Sequence, residues 1–201
     1  MINNIVFDVG RVLLDYRWEE VLMAGGASPD DAARITKDIF SNPNWHNAFD
    51  MGIMSQEELL NDFIEKYPDD EYAYRYFFSH PSDMPIPRMK VIELLPKLKS
   101  KGYSLYLLSD YSEYLSEVHF KAGGFIDYFD GVIISYREHL VKPDPAIFRL
   151  LLDRYDLSPD ETVFIDDKKI NTDGAEEVGI KGVNLRTEDE IADYLKSTFL
   201  K

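Results

Sequence analysis

Short apolar runs alternate with helical patterns along most of the chain. The apolar runs have the length of buried β-strands and occupy residues 2–7, 103–108, 132–134, 162–165 and 183–185. The helical patterns occupy residues 87–101, 145–152 and 188–200, and Pro96 predicts a kink in the first of them. Because strands that alternate with helices pack as parallel neighbours joined by right-handed crossovers, we predict an α/β fold with a doubly wound parallel sheet.

Residues 16–85 interrupt this alternation and contain no strand pattern. Ser28 precedes a proline and two acids, as at a helix N-terminus, and Ser55 with Glu58 has the spacing of a capping box. A group of aromatic residues predicts another buried helix face, formed by Tyr72, Tyr74, Tyr76, Phe77 and Phe78. We therefore predict an α/β core of residues 1–15 and 86–201 and an all-helical insertion of residues 16–85.

Polar side chains follow the predicted strands at the points where these strands end. Asp8 closes the first apolar run and Ser109 closes the second. Asp166 and Asp167 close the fourth run, and Lys142 lies in the loop after the third. Each residue alone is typical of a turn or a helix cap. Because ligands of open parallel sheets bind beyond the carboxyl ends of the strands, the placement of all of them together predicts one shared crevice.

The residue types in this crevice favour phosphoryl-transfer chemistry. Three carboxylates that lie close together cannot all stay ionised without a cation, and oxygen ligands suit Mg²⁺. Asp8 could attack phosphorus to form an aspartyl-phosphate, Lys142 could offset the charge of the transferring group, and Ser109 could contact its oxygens. Zinc is disfavoured because the histidines are scattered, and we expect surface or structural roles for His46, His80, His119 and His139.

The charge balance narrows the range of partners. The chain has 37 acidic and 22 basic residues, a net charge of −15, which disfavours nucleic acid and anionic membranes. Residues 16–85 hold 14 of the acids and 5 of the bases, so the excess is concentrated in the insertion. An anionic substrate is repelled at long range, so we expect a small phosphorylated metabolite bound by local cations, namely Mg²⁺, Lys142 and Arg11.

Other features of the composition point to a globular protein outside the membrane. The chain has no cysteine, which excludes disulfides and thiolate catalysis and favours a cytoplasmic location. No apolar run approaches the ~20 residues of a membrane span, and the first residues lack the layout of a signal peptide. The hydrophobic fraction of 45% is typical of a packed domain, which we expect to be a monomer or a homodimer.

Four segments resemble the motifs of the haloacid dehalogenase-like hydrolase superfamily. They are residues 7–13, 108–110, 142–144 and 164–167, the last with Asn171. The resemblance spans nearly the whole chain and implies a Rossmann-like core. The insertion at residues 16–85 is similar to the small C1-type cap of this superfamily. The first motif, together with residues 51–55, is most similar to the subgroup that contains a bacterial α-glucose-1-phosphate phosphatase.

The resemblance implies a Mg²⁺-dependent phosphatase and a role for each motif residue. Ser109 and Lys142 would hold the phosphate group. The residues implied to bind the metal lie in the first and fourth motifs: Asp8, which is also the nucleophile, the backbone carbonyl of Gly10, and Asp167, with Asp166 and Asn171 supporting the metal or its waters.

Two positions depart from the superfamily pattern. The usual phosphatase has a second Asp two residues after the nucleophile as general acid and base, whereas this chain has Gly10. Such a loss can cost about 10²–10⁴ in rate, so we hypothesise an activated ester such as a sugar 1-phosphate, whose leaving group needs less acid assistance. Asp110 stands where the superfamily usually has Asn, and we interpret it as a helix cap, an acceptor for a substrate hydroxyl or a substitute acid.

Three further residues have two open interpretations each. Arg11 reaches the substrate or pairs at the surface with an acid of the insertion. Trp45 faces the crevice as a substrate contact or packs within the insertion. Asp50 contacts substrate hydroxyls or is an exposed acid at a helix end.

Three functions are in competition. The leading one is a Mg²⁺-dependent phosphomonoester hydrolase that acts on a small organic phosphate, with a sugar phosphate favoured. A metal-independent 2-haloacid dehalogenase also uses an Asp nucleophile, but the pair Asp166 and Asp167 would repel its anionic substrate. A phosphate-ligand binding or regulatory protein without turnover stays open because Gly10 replaces the general acid.

Overall fold

The computed structural model describes all 201 residues. The strands are β1 (Asn4–Phe7), β2 (Leu14–Tyr16), β3 (Pro85–Pro87), β4 (Ser104–Ser109), β5 (Gly131–Ile134), β6 (Thr162–Asp166) and β7 (Lys181–Asn184). The helices are α1 (Trp18–Ala24), α2 (Pro29–Ser41), α3 (Gln56–Lys66), α4 (Glu71–Ser79), α5 (Met89–Ile92), α6 (Leu95–Ser100), α7 (Glu113–Gly123), α8 (Ser135–Glu138), α9 (Pro145–Tyr155), α10 (Lys169–Glu176) and α11 (Glu188–Phe199). None of these helices has both the length and the apolar character that crossing a membrane requires.

Five strands form one parallel sheet in the order β5–β4–β1–β6–β7. The chain starts in the middle, adds β4 and β5 on one side, and then adds β6 and β7 on the other, so the sheet is doubly wound. The register pairs Phe7 with both Leu107 and Ile165, which brings the carboxyl ends of the three central strands to one level. The predicted α/β fold class is confirmed.

Both faces of this sheet are buried. On one face, Ile5 and Leu105 belong to the larger hydrophobic cluster, which continues into the helices of residues 18–79. On the other face, Val6 and Phe164 belong to a smaller cluster that contains the apolar side of α9. Consecutive strand residues point to opposite faces, so a continuous apolar run is what a sheet covered on both sides requires.

The segment between β2 and β3 consists of helices and turns. Ser28 accepts a hydrogen bond from the backbone N–H of Asp31 at the start of α2. Ser55 and Glu58 form the predicted capping box at the start of α3. Between these helices, Trp45–Phe49 is a π-helical turn.

Helix α4 buries a narrower aromatic face than the sequence predicts. Tyr74, Phe77 and Phe78 are buried, whereas Tyr72 is 69% exposed. Positions 74, 77 and 78 lie on one side of a helix with 3.6 residues per turn, and position 72 lies on the other. The expectation that all five aromatic residues are buried was therefore wrong for Tyr72.

A short ribbon corrects the prediction of an insertion without strands. Strands β2 and β3 pair antiparallel, and Tyr16 and Pro85 lie opposite each other within the predicted insertion. The ribbon escapes pattern analysis because each strand has three residues and β3 contains two prolines. It connects the point where the chain leaves the sheet to the point where it returns.

The helical pattern at residues 87–101 also differs from the prediction. It forms two helices, α5 and α6, instead of one kinked helix. Pro96 lies in the first turn of α6, where no N–H donor is needed, so the proline begins a new helix. Helices α7 and α10 complete the alternation, and neither of them was predicted individually.

Candidate active site

A cleft of about 430 Å³ opens at the carboxyl ends of the central strands. Its floor consists of residues that follow the strands, and its wall consists of residues from the helical segment. The floor residues include Asp8, Ser109, Asp110, Lys142 and Asp167, and the wall residues include Thr36, Trp45, His46 and Asp50. Residues that are distant in sequence thus meet at one place, because the parallel register aligns the strand ends.

Asp8 is held by two donors that bind the same oxygen. Its Oδ1 accepts hydrogen bonds from Ser109 Oγ at 2.7 Å and from Lys142 Nζ at 2.8 Å. Its Oδ2 accepts none and lies 3.8 Å from the point that a β-carbon on Gly10 would occupy. Burial raises the pKa of Asp8 above its ordinary value, although Lys142 opposes this shift. Oδ2 is therefore the oxygen that is available to attack a substrate or to bind a metal.

Lys142 connects the nucleophile to the fourth motif. Its ammonium donates to Asp8 Oδ1, to Asp166 Oδ2 at 2.9 Å and to the carbonyl oxygen of Leu108 at 3.3 Å, which uses all three protons. Burial alone would lower the pKa of Lys142, but the carboxylates of Asp166 and Asp8 raise it above its ordinary value. Lys142 is therefore a permanent buried cation that orients Asp8.

Asp166 and Asp167 are adjacent but have different surroundings. Asp166 is fully buried and accepts hydrogen bonds from Lys142, from Asn171 Nδ2 at 3.0 Å and from the Lys168 N–H at 2.7 Å. The carboxylate of Asp167 is half-buried and accepts no hydrogen bond. Burial, together with the charges of Asp8 and Asp166, raises the pKa of Asp167 to about 6. Asp166 thus supports the site, and Asp167 has free oxygens that face the cleft.

The acidic cluster fits a hard divalent cation. Carboxylate oxygens of Asp8, Asp166 and Asp167 all lie within 4.8 Å of one another. Lys142 is the one buried cation beside these three acids, so the cluster carries excess negative charge. All the potential metal ligands in this cluster are oxygen atoms, which Mg²⁺ prefers over the nitrogen and sulfur ligands typical of zinc sites. Asp8 Oδ2 and Asp167 are the groups that could hold Mg²⁺.

Asp110 does not cap a helix, so that interpretation was wrong. Its carboxylate accepts a hydrogen bond from the backbone N–H of Lys142 at 3.1 Å, and the cap of α7 is Ser112 instead. The helix begins three residues after Asp110, beyond the reach of its side chain. Removal from water in the cleft raises the pKa of Asp110 to about 7, although Lys142 opposes this shift.

The wall residues resolve some of the open interpretations. Trp45 packs against Phe40 and Phe49 and also lines the cleft, so the packing is confirmed and the substrate contact stays a prediction. Asp50 is 4% exposed and is hydrogen-bonded to His46 Nδ1 at 2.9 Å, so its interpretation as an exposed acid was wrong. Asp50 directly follows the π-helical turn and lines the cleft, a placement that a sequence pattern does not reveal. Arg11 lines the cleft and forms no salt bridge with an acid of the insertion.

Sequence analysis missed three cleft residues that are joined by hydrogen bonds. The hydroxyl of Tyr16 bonds the hydroxyl of Tyr111, which bonds His119 Nδ1 at 3.1 Å. Nε2 of His119 donates to the carbonyl oxygen of Pro81 at 3.0 Å. His119 is thus a satisfied internal histidine, as expected, but it lies at the cleft. No local signal marks these residues, because β2, the β4–α7 loop and α7 bring them together from three distant segments.

Two curated relatives are similar over most of both chains. The sesquiterpene phosphatase astK of Aspergillus oryzae is 27% identical and covers 90% of this chain and 88% of its own. The D-ribitol-5-phosphate phosphatase of Bacteroides thetaiotaomicron is 26% identical and covers 90% of this chain and 90% of its own. An (S)-2-haloacid dehalogenase of Burkholderia cepacia is 28% identical but covers only 51% of this chain and 44% of its own.

A solved structure and a family model place the chain among known proteins. A haloacid dehalogenase family enzyme of Bacteroides thetaiotaomicron, in complex with magnesium and inorganic phosphate, has a TM-score of 0.68 at 24% identity. The alignment covers 92% of this chain and 94% of that chain, so the two share a fold. The model of the haloacid dehalogenase-like hydrolases matches residues 2–179, which include the whole cleft. This chain is therefore an enzyme of the haloacid dehalogenase-like hydrolase family.

Proposed function

We propose that this enzyme is a Mg²⁺-dependent phosphomonoester hydrolase that works through an aspartyl-phosphate on Asp8. The observation that carries the proposal is the arrangement of carboxylate oxygens on the cleft floor. Asp8 Oδ2 is free for attack, and the half-buried carboxylate of Asp167 next to it has no partner within the protein. A cation between them would relieve their repulsion, and a phosphate group is the natural anionic partner of such a cation.

The floor residues prepare Asp8 for in-line attack on phosphorus. Ser109 and Lys142 both bind Oδ1, so they turn Oδ2 towards the cleft without a cost of reorganisation during the reaction. The buried ammonium of Lys142 stabilises the charge that develops on the transferring phosphoryl group. Mg²⁺, when bound by Asp8 and Asp167, supplies charge neutralisation for the nucleophile and the phosphoryl oxygens.

The wall of the cleft favours a substrate with hydroxyl groups, and we propose a small sugar or polyol phosphate. Thr36 lines the cleft and its buried hydroxyl has no hydrogen-bond partner in the protein, and Asp50 and Asp110 line the same space. A volume of about 430 Å³ suits a small metabolite. The name of the ribitol-phosphate relative agrees with this class, whereas that of the sesquiterpene relative points to an apolar phosphate as the competing class.

We further propose that residues 16–85 act as a cap over residues 1–15 and 86–201. Among the hydrogen bonds that connect the two segments, two involve the carbonyl oxygens of Asp50, which lines the cleft, and of its neighbour Met51. Ser135 Oγ donates to the carbonyl oxygen of Asp50 at 2.5 Å, and His139 Nδ1 donates to that of Met51 at 2.8 Å. Their rupture would let the helical segment move and admit substrate, and their formation would exclude bulk water.

The test is a screen of phosphorylated metabolites and p-nitrophenyl phosphate, with Mg²⁺ or with EDTA. We expect phosphate release that requires Mg²⁺ and that is lost in Asp8→Asn, a variant of equal size without a nucleophilic carboxylate. Faster turnover of simple alkyl phosphates than of anomeric phosphates would contradict the sugar 1-phosphate hypothesis. If no ester is hydrolysed, a phosphate-binding or regulatory protein is favoured. Metal-independent halide release from a 2-haloacid would instead favour a dehalogenase.

A further inference from the structure

The hydroxyl of Tyr16 occupies the space beside the nucleophile that Gly10 leaves open. A β-carbon built on Gly10 would lie 3.4 Å from Tyr16 Oη and 3.8 Å from Asp8 Oδ2. The chain turns sharply after Gly10, which bridges to Leu14, and strand β2 then brings Tyr16 back beside it. The Tyr16 side chain therefore lies next to the position at which the superfamily pattern has its second Asp.

The hydrogen bonds of Tyr16 have a fixed direction. The Pro81 carbonyl oxygen can only accept, so the proton of a neutral His119 must lie on Nε2 and its Nδ1 must accept. Tyr111 then donates to His119 Nδ1, and Tyr16 donates to Tyr111. Both hydroxyl protons are consequently used within this chain of hydrogen bonds, which leaves only the lone pairs of Tyr16 for a further partner beside Asp8.

The surroundings keep this chain of groups neutral. Burial lowers the pKa of His119 to about 4, so the imidazole is uncharged at neutral pH. Burial also raises the pKa of Tyr16 and Tyr111 above the ordinary value, so neither phenol ionises on its own. His119 is the one member of the chain that can take up an additional proton, and its basicity is close to that of an ordinary Asp, with a pKa of about 3.9.

We propose that Tyr16 is the base for the water that hydrolyses the aspartyl-phosphate, and that it passes the proton through Tyr111 to His119. The inference rests on the proposed function, since it concerns the second half of that reaction. Tyr16 is the catalytic residue because it contacts the water. Tyr111 and His119 are positioning residues that direct the Tyr16 lone pairs and accept the proton.

The water oxygen forms a bond to phosphorus while the bond between phosphorus and Asp8 Oδ2 breaks. The electron pair of the broken bond returns to the Asp8 carboxylate. The water proton goes to the Tyr16 oxygen, the Tyr16 proton to Tyr111, and the Tyr111 proton to His119 Nδ1. The products are inorganic phosphate, the free carboxylate of Asp8 and an imidazolium. The imidazolium then releases its proton to solvent along the same route.

Rapid-quench kinetics with p-nitrophenyl phosphate and Mg²⁺ separate the two half-reactions. In Tyr16→Phe we expect acid-trapped phosphoenzyme to accumulate, because its hydrolysis slows by about 10²-fold while the first release of p-nitrophenol changes by no more than about threefold. His119→Gln should also slow the hydrolysis of the phosphoenzyme relative to the first release of p-nitrophenol. The double variant Gly10→Asp with Tyr16→Phe should hydrolyse its phosphoenzyme at least about tenfold faster than Tyr16→Phe alone, because a carboxylate then lies beside Asp8.

Tyr74→Phe is the matched control, because it removes a buried hydroxyl of the helical segment that is not part of the cleft. It should leave both half-reactions unchanged. Equal slowing of both half-reactions in Tyr16→Phe, or no change in either, overturns the inference. Phosphoenzyme accumulation in Asp110→Asn but not in Tyr16→Phe also overturns it and assigns the base to Asp110. If the wild-type enzyme forms no phosphoenzyme at all, the proposed function fails together with the inference. A failure of the Tyr16 inference alone would leave phosphoenzyme formation in the wild type intact.

Discussion

The floor of the cleft and the helical segment that forms its wall differ in which polar groups lack a partner; on the floor these are Asp8 Oδ2 and the carboxylate of Asp167, the groups that could hold a cation. On the floor, Lys142 uses all three of its protons and both oxygens of Asp166 accept hydrogen bonds. In the helical segment that forms the wall, buried polar atoms of Thr36, Gln56 and Tyr74 have no partner. Elsewhere in the chain, the hydroxyl of Tyr194 is the one such atom.

We interpret this difference as a division between holding the reacting groups in place, on the floor, and binding the substrate, in the helical segment. A saturated network of charges in a low-dielectric interior holds the reacting groups in one geometry, which is what stabilisation of a transition state requires. Unpaired groups leave hydrogen-bonding capacity for a ligand, and aromatic side chains such as Trp45 offer it an apolar contact surface. The core thus provides a fixed chemistry, and we expect the helical segment to determine which substrate reaches it.

The largest expected effect comes from removing the buried cation of the floor, Lys142. Lys142→Met leaves the carboxylates of Asp8 and Asp166 buried without their common partner, so we expect the free energy of unfolding to fall by about 3–5 kcal/mol. Phosphatase turnover should be lost as well. Urea denaturation at pH 7 in EDTA measures the first effect. Lys169→Met, which removes the exposed ion pair with Asp173, should leave stability nearly unchanged.

A second test uses the pH dependence of stability, to which His119 contributes. The unfolded chain protonates a histidine below a pH of about 6.5, whereas burial lowers the pKa of His119 to about 4 in the folded protein. The unfolded state therefore binds more protons between these values, and stability falls as the pH decreases through this window. We expect wild type to lose about 3 kcal/mol more than His119→Gln between pH 7 and pH 4. Parallel pH profiles for the two proteins would rule this out.

A smaller effect should separate substrate recognition from chemistry. Thr36 lines the cleft, and Thr36→Val keeps the shape of the side chain but removes its buried, unpaired hydroxyl. For a sugar phosphate we expect KM to rise by about fivefold with little change in kcat, as for one lost neutral hydrogen bond. For p-nitrophenyl phosphate, which lacks sugar hydroxyls, both constants should stay the same. A change in kcat with both substrates would place Thr36 in the chemistry instead.

The smallest effect concerns an unpaired hydroxyl that does not face the cleft. The ring of Tyr74 stacks on Phe63 with ring centroids 4.9 Å apart, and its hydroxyl is buried without a partner. Tyr74→Phe keeps the stacking and removes the unsatisfied group, so we expect the free energy of unfolding to rise by up to about 1 kcal/mol. Thermal denaturation is the measurement. A clear loss of stability would mean that the hydroxyl has a partner in solution, and the comparison between floor and wall would weaken.

The elements that sequence analysis predicted well are those with local signals. Continuous apolar runs identified the five strands of the parallel sheet, and Ser28 and Ser55 identified the starts of two helices. The interpretation of Asp110 as a helix cap and that of Asp50 as an exposed acid were wrong. Both were interpreted as local features of helix ends, but their surroundings depend on which segments fold over them.

The sequence by itself determined the parallel sheet and which residues at the strand ends form the floor of the cleft. Buried strands and the positions where they end can be recognised from consecutive residues alone. A parallel register then brings these strand ends to one edge of the sheet. Only the tertiary structure decided which oxygen of Asp8 is free, that Asp167 rather than Asp166 lacks a partner, and that Tyr16 stands beside Gly10. These facts depend on distances between segments that are remote in sequence, and hydrogen-bond partners are assigned by such distances and not by spacing along the chain.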